Sequence, residues 1–326
     1  MQRRDLLIGG AASAAAAALA QVPEAAAQPK QRGGFWPDGI RLPISVSLMF
    51  HAGAQSRFGA YTPFGHLVPP PGTDDLPTMT WYRYGATEGI PRALEMLAKL
   101  KIATTSHMSG LAVEIYPDVA RSIVQAGHEA AGHGWDLIEE ATMTDEQERA
   151  FIQRNVDVVR KVTGQQTVGY NAPGLRGTAN VLSNLHALGF KYHTDDVSRD
   201  EPFIVQLDAK RDIVVVPHAP YLNDMRAYEA RGMADENFLD NVKRSFDQLY
   251  EESGSRRRMM SIVMHDRMVR PEHARTMAEA FRYMLKHPGV AFMKKVDIAN
   301  FMTTVKDAIR EPIGLVYPKI PNLYRG

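Results

Sequence analysis

Residues 113–136 read VEIYPDVARSIVQAGHEAAGHGWD, and the change of rhythm inside them decides the fold. From 113 to 126 the apolar positions recur at helical spacing, and Gly127 then supplies the residue type that ends such a run in left-handed geometry. Residues 127–131 follow as a short strand-like run, with His133, Trp135 and Asp136 gathered just beyond it. Helix, short strand and polar strand end in succession form the unit from which a mostly parallel, helix-covered sheet is built.

The same alternation extends in both directions. Apolar runs at 44–50, 102–105, 167–170, 191–193, 213–216, 261–264 and 290–293 read as strands. Helical periodicity covers 90–100, 113–126, 145–162 (stopping at Gly164), 180–188 (stopping at Gly189), 235–252 and 271–286. Seven such units fit an irregular barrel or an open doubly wound sheet, and periodicity alone leaves both open. Residues 28–41 and 61–77, the latter containing Pro69-Pro70-Pro71-Gly72, read as an extension and a long loop. Gly132 and Gly134 bracket one His without the wider glycine pattern of a nucleotide loop, which gives a nucleotide reading little support.

In a β/α barrel, chemistry sits where strands end. His51 follows the run at 44–50, His133 with Trp135 and Asp136 follows 127–131, and Asn171 with Pro173-Gly174 follows 167–170. His193, Asp195 and Asp196 follow the next run, His218 the next with Asn223 and Asp224 shortly after, and His265-Asp266-Arg267 the last. One such His is commonly a satisfied structural residue. Six strand ends in phase point to a shared site, because each unpaired polar group at a buried rim costs about 1–3 kcal/mol unless it faces a cavity or a partner. Amide or imide hydrolysis needs a base for water, donors or a metal for the oxyanion, and an acid for the leaving nitrogen. Imidazoles, with an ordinary pKa of about 6.5, suit acid and base roles. Asp195 and Asp196 are candidates to orient a His, act as base or hold a cation.

The chain opens Met1-Gln2-Arg3-Arg4-Asp5-Leu6-Leu7, stays uncharged from 6 to 20 and reaches Ala25-Ala26-Ala27. Paired arginines, a short mildly apolar segment and small residues before a cut after Ala27 predict a twin-arginine export signal at 1–27. The segment is too short and weak for a membrane span, so the expected mature protein is periplasmic or secreted, without a span after cleavage. Cysteine is absent, so no disulfide supports the fold. The net charge of +1 predicts no nucleic-acid partner. With 44% hydrophobic residues, the chain can bury one large core.

Gly127-His128-Glu129-Ala130-Ala131-Gly132-His133-Gly134-Trp135 resembles the second signature of the polysaccharide deacetylase superfamily, and Met264-His265-Asp266-Arg267 resembles its last. Val215-Val216-Pro217-His218 leading into Asn223-Asp224-Met225, the segment 190–196, and Lys295-Val296-Asp297-Ile298-Ala299 are similar to the allantoinase-like, cyclic imide hydrolase branch. The resemblance covers roughly 44–301. It implies an α/β fold, a distorted (β/α) barrel of about seven parallel strands, and hydrolysis of a carbon–nitrogen bond other than a peptide bond. The implied organisation is the signal at 1–27, an extension at 28–43, the barrel at 44–303 and a tail at 304–326.

The chain also departs from the family pattern. Metal-dependent deacetylases, carbohydrate esterases by class, place Asp-x-Asp after the first strand, where this chain has His51 and Gly53. Their second motif carries two ligand histidines four apart; here the pair is His133 and Leu137, and Asn171 stands where their third motif has Arg. Either His51, His133 and Asp195 rebuild a divalent zinc site, or no metal or other cofactor is used. Because the allantoinase-like branch also lacks the ordinary ligand set, the resemblance favours the metal-free alternative.

On this reading His265 is the acid or base, and Asp266 or a strand-end carboxylate such as Asp195 orients it. His51, His133 and Asn171 bind the carbonyl or its oxyanion. His218, Asn223 and Asp224 complete the substrate contacts, and Trp135 and Tyr221 are candidate stacking walls. Two other functions stay in view: a metal-dependent N-deacetylase of envelope glycans, and a non-catalytic protein that binds a glycan or small amide. The expected partners are the substrate and the twin-arginine export machinery. The segments 35–43 and 311–326, the latter with Tyr317, Pro318, Pro321 and Tyr324, are candidates to wrap a second copy or simply to dock on the surface.

Overall fold

The computed structural model describes residues 34–55, 62–64 and 73–316. The expected leader at 1–27, most of the expected extension and the tail residues Tyr317, Pro318, Pro321 and Tyr324 lie outside the described residues. Among the described residues ten strands make one sheet: β1 (Leu42–Phe50), β2 (Thr105–Met108), β3 (Glu129–Gly132), β4 (Gly169–Tyr170), β5 (Tyr192–His193), β6 (Phe203–Gln206), β7 (Asp212–Val215), β8 (Met260–His265), β9 (Val290–Phe292) and β10 (Arg310–Pro312). The path β7-β5-β4-β3-β2-β1-β8 contains seven strands, all paired in parallel. β6 joins β7 antiparallel, β10 extends that edge, and β9 pairs with the start of β1.

The path curls toward closure. Beyond β8, Val263 forms a parallel bridge with Asn223, and Ser261 Oγ donates to Pro217 O at 2.6 Å, both in the segment leaving β7. No continuous ladder spans this seam among the described residues, so the seven strands form a distorted ring with one loosely stitched joint. The mostly parallel α/β architecture matches the expectation from sequence.

Side-chain alternation explains how this ring holds a site. On β1, Ile44, Val46, Leu48 and Phe50 are fully buried in the apolar layer beneath the helices, packed with Ile90, Leu97, Phe246 and Phe281. The intervening Ser45, Ser47, Met49 and His51 therefore face the interior, because successive side chains on a strand take opposite faces. β8 repeats this, with Met260, Ile262 and Met264 outward and Ser261, Val263 and His265 inward.

The floor of the ring is polar, and although Ser47 Oγ has no hydrogen-bond partner, several of its groups are paired. Lys295 Nζ donates to Ser45 Oγ at 2.9 Å, while Glu129 accepts from Thr105 Oγ1 at 2.7 Å and Tyr192 OH at 2.8 Å. Glycine is obligatory opposite that tyrosine: a Cβ on Gly169 would lie 1.9 Å from Tyr192 Cζ.

The expected strand and helix boundaries hold in places and shift in others. Helices Ile90–Leu100 and Asp235–Glu252 fall on the predicted residues. The helix predicted over 113–126 is two helices, Gly110–Ile115 and Pro117–Gln125, because Pro117 cannot donate the amide a continuous helix needs. Arg310–Pro312, expected in the tail, is a sheet strand. No helix among the described residues is long and apolar enough to cross a membrane.

Candidate active site

At the carboxyl end of the ring lies a pocket of about 270 Å³ whose lining includes His51, His133, Asn171, His218, Asn223 and His265. Six residues proposed from sequence thus converge from β1, β3, β4, β8 and the segment after β7. The His51 and His133 rings stack at 4.7 Å, and His51 meets His265 edge to face at 5.3 Å.

Burial sets the charge of this cluster. It lowers His133 to about 4 and His218 to about 3, and drives His51 and His265 well below the ordinary imidazole value. Neighbouring His133 and His265 depress His51 further, and Arg267 does the same to His265. At neutral pH these four rings are uncharged, so each offers one donor and one acceptor nitrogen.

Hydrogen bonds fix two tautomers. His265 Nδ1 lies 2.7 Å from Asp224 Oδ1, and the His265 amide donates to Asp224 Oδ2 at 2.8 Å. Nδ1 therefore carries the proton and Nε2 is left with its lone pair. His133 Nδ1 faces the Asn171 carbonyl at 2.7 Å, and because a carbonyl can only accept, His133 also presents Nε2 as an acceptor. Burial pushes Asp224 up to about 7, even though its carboxylate accepts from the His265 and Met225 amides. The pair titrates as a dyad whose apparent value belongs to both groups.

The structure places Asp266 elsewhere. Its Oδ2 accepts from the His51 and Ala52 amides at 2.8 and 2.9 Å, tying the end of β1 to the end of β8. The carboxylate on His265 is Asp224, which the sequence reading had grouped with substrate contacts. The turn Gly85–Gly89 packs so closely on Asp266 that a Cβ on Gly85 would lie 2.4 Å from its Cγ.

Asp195 is likewise behind the pocket rather than in it. Asp195 Oδ1 accepts from Asn171 Nδ2 at 2.9 Å and from the Ala172 amide at 3.0 Å, holding the backbone whose carbonyl orients His133. Asn171 Nδ2 also donates to Thr194 Oγ1 at 2.8 Å, so both its protons are committed and none is free for an oxyanion. Trp135 is 8% exposed and lies under the Arg154 guanidinium at 3.3 Å, away from the lining. Tyr221 is half exposed and lines a neighbouring cavity. His193 faces outward, at the register position of the outward Tyr170.

Of the donors that the pocket does offer, Asn223 was assigned from sequence and Arg267 was not. Arg267 is 1% exposed, pairs with Glu229 Oε1 and Oε2 at 2.9 and 2.7 Å, and lines the pocket with its Nη1 buried and unpartnered. Burial acts to lower this guanidinium, but Tyr82, Glu229 and Asp266 around it hold it above its ordinary value. Asn223 accepts the Arg226 amide on Oδ1, which leaves its Nδ2 protons available. Arg176 and Glu139, paired at 2.7 Å, and Arg226 stand at the pocket's edge.

The ligand set His51, His133 and Asp195 does not assemble, because the Asp195 carboxylate is turned onto Asn171 and Ala172. Among the described residues no three of His, Cys, Asp and Glu stand so as to hold a metal ion. The donor set as folded does not fit a deacetylase-type metal.

The polysaccharide deacetylase family model matches residues 74–193. The chain is 25% identical over 244 residues to the peptidoglycan deacetylase of Helicobacter pylori (strain ATCC 700392 / 26695), spanning 65% of this chain and 83% of that protein. Among solved structures, the allantoinase PuuE superposes with a TM-score of 0.77 at 26% identity, covering 83% of this chain and 93% of that one. The protein named "probable Polysaccharide deacetylase" from Pseudomonas aeruginosa PAO1 gives 0.76 at 26%, covering 83% and 94%. Fold and pocket together define a distorted β/α barrel with polar residues gathered at its strand ends. The chain is similar to the polysaccharide deacetylase superfamily, in sequence across residues 74–193 and in fold across most of its length.

Proposed function

We propose that this protein is an exported hydrolase of amide, imide or N-acetyl carbon–nitrogen bonds, of the allantoinase-like kind, whose base is His265. The observation that carries the reading is the His265–Asp224 dyad, which leaves Nε2 of a buried neutral imidazole as an acceptor beside two further histidines. Similarity to both PuuE and deacetylases supports the bond class. The paired arginines at the start of the sequence support export.

The chemistry follows from these protonation states. Water gives its proton to His265 Nε2 while its oxygen bonds to the carbonyl carbon, and Asp224 stabilises the imidazolium that forms. Arg267 Nη1 and Asn223 Nδ2 receive the developing oxyanion, Arg267 contributing a fixed charge that needs no rearrangement. As the carbon–nitrogen bond breaks, the imidazolium returns its proton to the departing nitrogen, leaving an acid and an amine or amide.

A hydrolysis screen over hydantoins, ureides, imides and N-acetylated sugars, run alongside His265→Ala, tests this. Turnover that His265→Ala abolishes while thermal unfolding stays nearly unchanged is the expected result. A His265→Ala protein that stays active, or a folded wild type that turns over none of the four classes, removes the reading.

A further inference from the structure

Beside the histidine pocket lies a second cavity of about 320 Å³, with Arg199, Asp200, Tyr221 and Arg231 in its wall. His218, Pro220 and Arg226 line both spaces and so form the partition between them. A substituent that crosses this partition from the histidine pocket enters the second cavity.

The wall carries three guanidiniums and one carboxylate. Asp200 lies 3.4 Å from the Tyr221 hydroxyl, and Arg199 is paired with Glu311. Among the described residues no acidic side chain forms an ion pair with Arg226 or Arg231. Two buried atoms in the wall also lack hydrogen-bond partners: Arg199 Nε and Nδ1 of His218, a residue only 8% exposed. Unsatisfied buried polar atoms cost free energy unless something meets them. A neutral sugar is met by several free acids and amides together with aromatic faces; here one ring, Tyr221, and one engaged carboxylate are present. The excess of guanidinium forks instead matches a planar anion, which arginine binds in bidentate fashion.

We propose that this cavity is a subsite for a carboxylate-bearing arm of the substrate, gripped by Arg226 at the partition and Arg231 beyond it. The proposal rests on the hydrolytic reading of the histidine pocket and narrows its substrate to an anionic amide or imide.

The test uses hydantoins carrying a carboxyalkyl arm of about one to three methylenes, each paired with its methyl ester, because the arm's reach decides which one spans the partition. Binding is measured by calorimetry on the full chain, on His265→Ala to prevent turnover, and on Arg231→Gln and Arg226→Gln. One acid should bind about tenfold or more tighter than its ester. That preference should fall in each arginine variant and shrink with added salt. Equal affinity of acid and ester at every length, no binding of any acid, or a preference that survives both substitutions overturns the subsite. Hydrolysis of neutral amides without any acid preference removes the subsite and leaves the hydrolase standing. An acid held through Arg231 by a protein that hydrolyses nothing does the reverse.

Discussion

Replacing Asp224 by Asn tests whether the dyad runs the chemistry. Asp224 is 3% exposed and takes three protons: the His265 amide at 2.8 Å on Oδ2, and His265 Nδ1 at 2.7 Å and the Met225 amide at 2.6 Å on Oδ1. An asparagine has one acceptor atom for these donors. With its oxygen toward Met225 and Nδ1, its amino group faces the His265 amide and leaves that buried donor unpaired, at about 1–3 kcal/mol. Turned the other way, its amino group faces Nδ1 and forces the imidazole into the tautomer with the proton on Nε2, which ends base catalysis. Turnover should fall by about 10²–10⁴, the usual worth of positioned acid–base catalysis. The assay is kcat/KM against pH on whichever amide or imide the screen identifies. Because Asp224 is pushed up to about 7, acidification adds a proton to the dyad and removes the acceptor at Nε2, so the wild-type value should fall below about pH 7. An Asn variant within about threefold of wild type, with the acid limb unmoved, would refute the dyad as the base.

Three further outcomes follow from other parts of the molecule. Arg267→Lys should lower kcat more than it raises KM, since the lost Nη1 contact belongs to the developing oxyanion; steady-state kinetics showing a pure KM effect would assign Arg267 to ground-state binding. Glu140 is fully buried against the Tyr170 hydroxyl and burial raises it to about 9. Its folded value lies above the unfolded one, so its stabilising contribution is complete below about pH 4 and is lost as pH rises toward 9, at about 1.4 kcal/mol per unit. Glu140→Gln should therefore melt close to wild type at low pH and hold its stability better across that window; denaturant midpoints at several pH values measure this. Gly169→Ala puts a methyl 1.9 Å from the buried Tyr192 ring and should cost at least about 1–3 kcal/mol of unfolding free energy, read from urea curves.

The ring and the histidine cluster were legible because both depend on period. An apolar run ending in a polar residue fixes which face that residue takes, and His51, His133 and His265 arrive together for that reason. The role of Asp266 was not legible. As the neighbour of His265 in sequence it turns away from it, and its carboxylate meets amides 215 and 214 residues distant. Asp224 faces His265 only because the segment after β7 bridges to β8 at Asn223 and Val263, a tertiary contact without a local signal. Arg267 stood inside a recognised motif, yet its worth as a donor lies in one nitrogen that Glu229 leaves free. β3 was legible as the run at 127–131, but the burial of Glu129 was not, since its charge reads as solvent-facing until Thr105, Tyr192 and the Val296 amide enclose it. β10 reads Arg310-Glu311-Pro312 and offers no apolar run, and β6 pairs antiparallel with β7, outside the β–α alternation that the sequence pattern follows.

The position of β1 has a consequence for the order of events in the cell. The strand made first lies between β2 and β8 and takes β9 as well, so two of its three neighbours are among the last segments to leave the ribosome. Until residue 266 is synthesised, the amide of His51 has no carboxylate to hold it and one wall of the pocket is incomplete. A chain cut short before β8 retains most of its mass and lacks the side of the pocket that Val263, His265 and Arg267 supply.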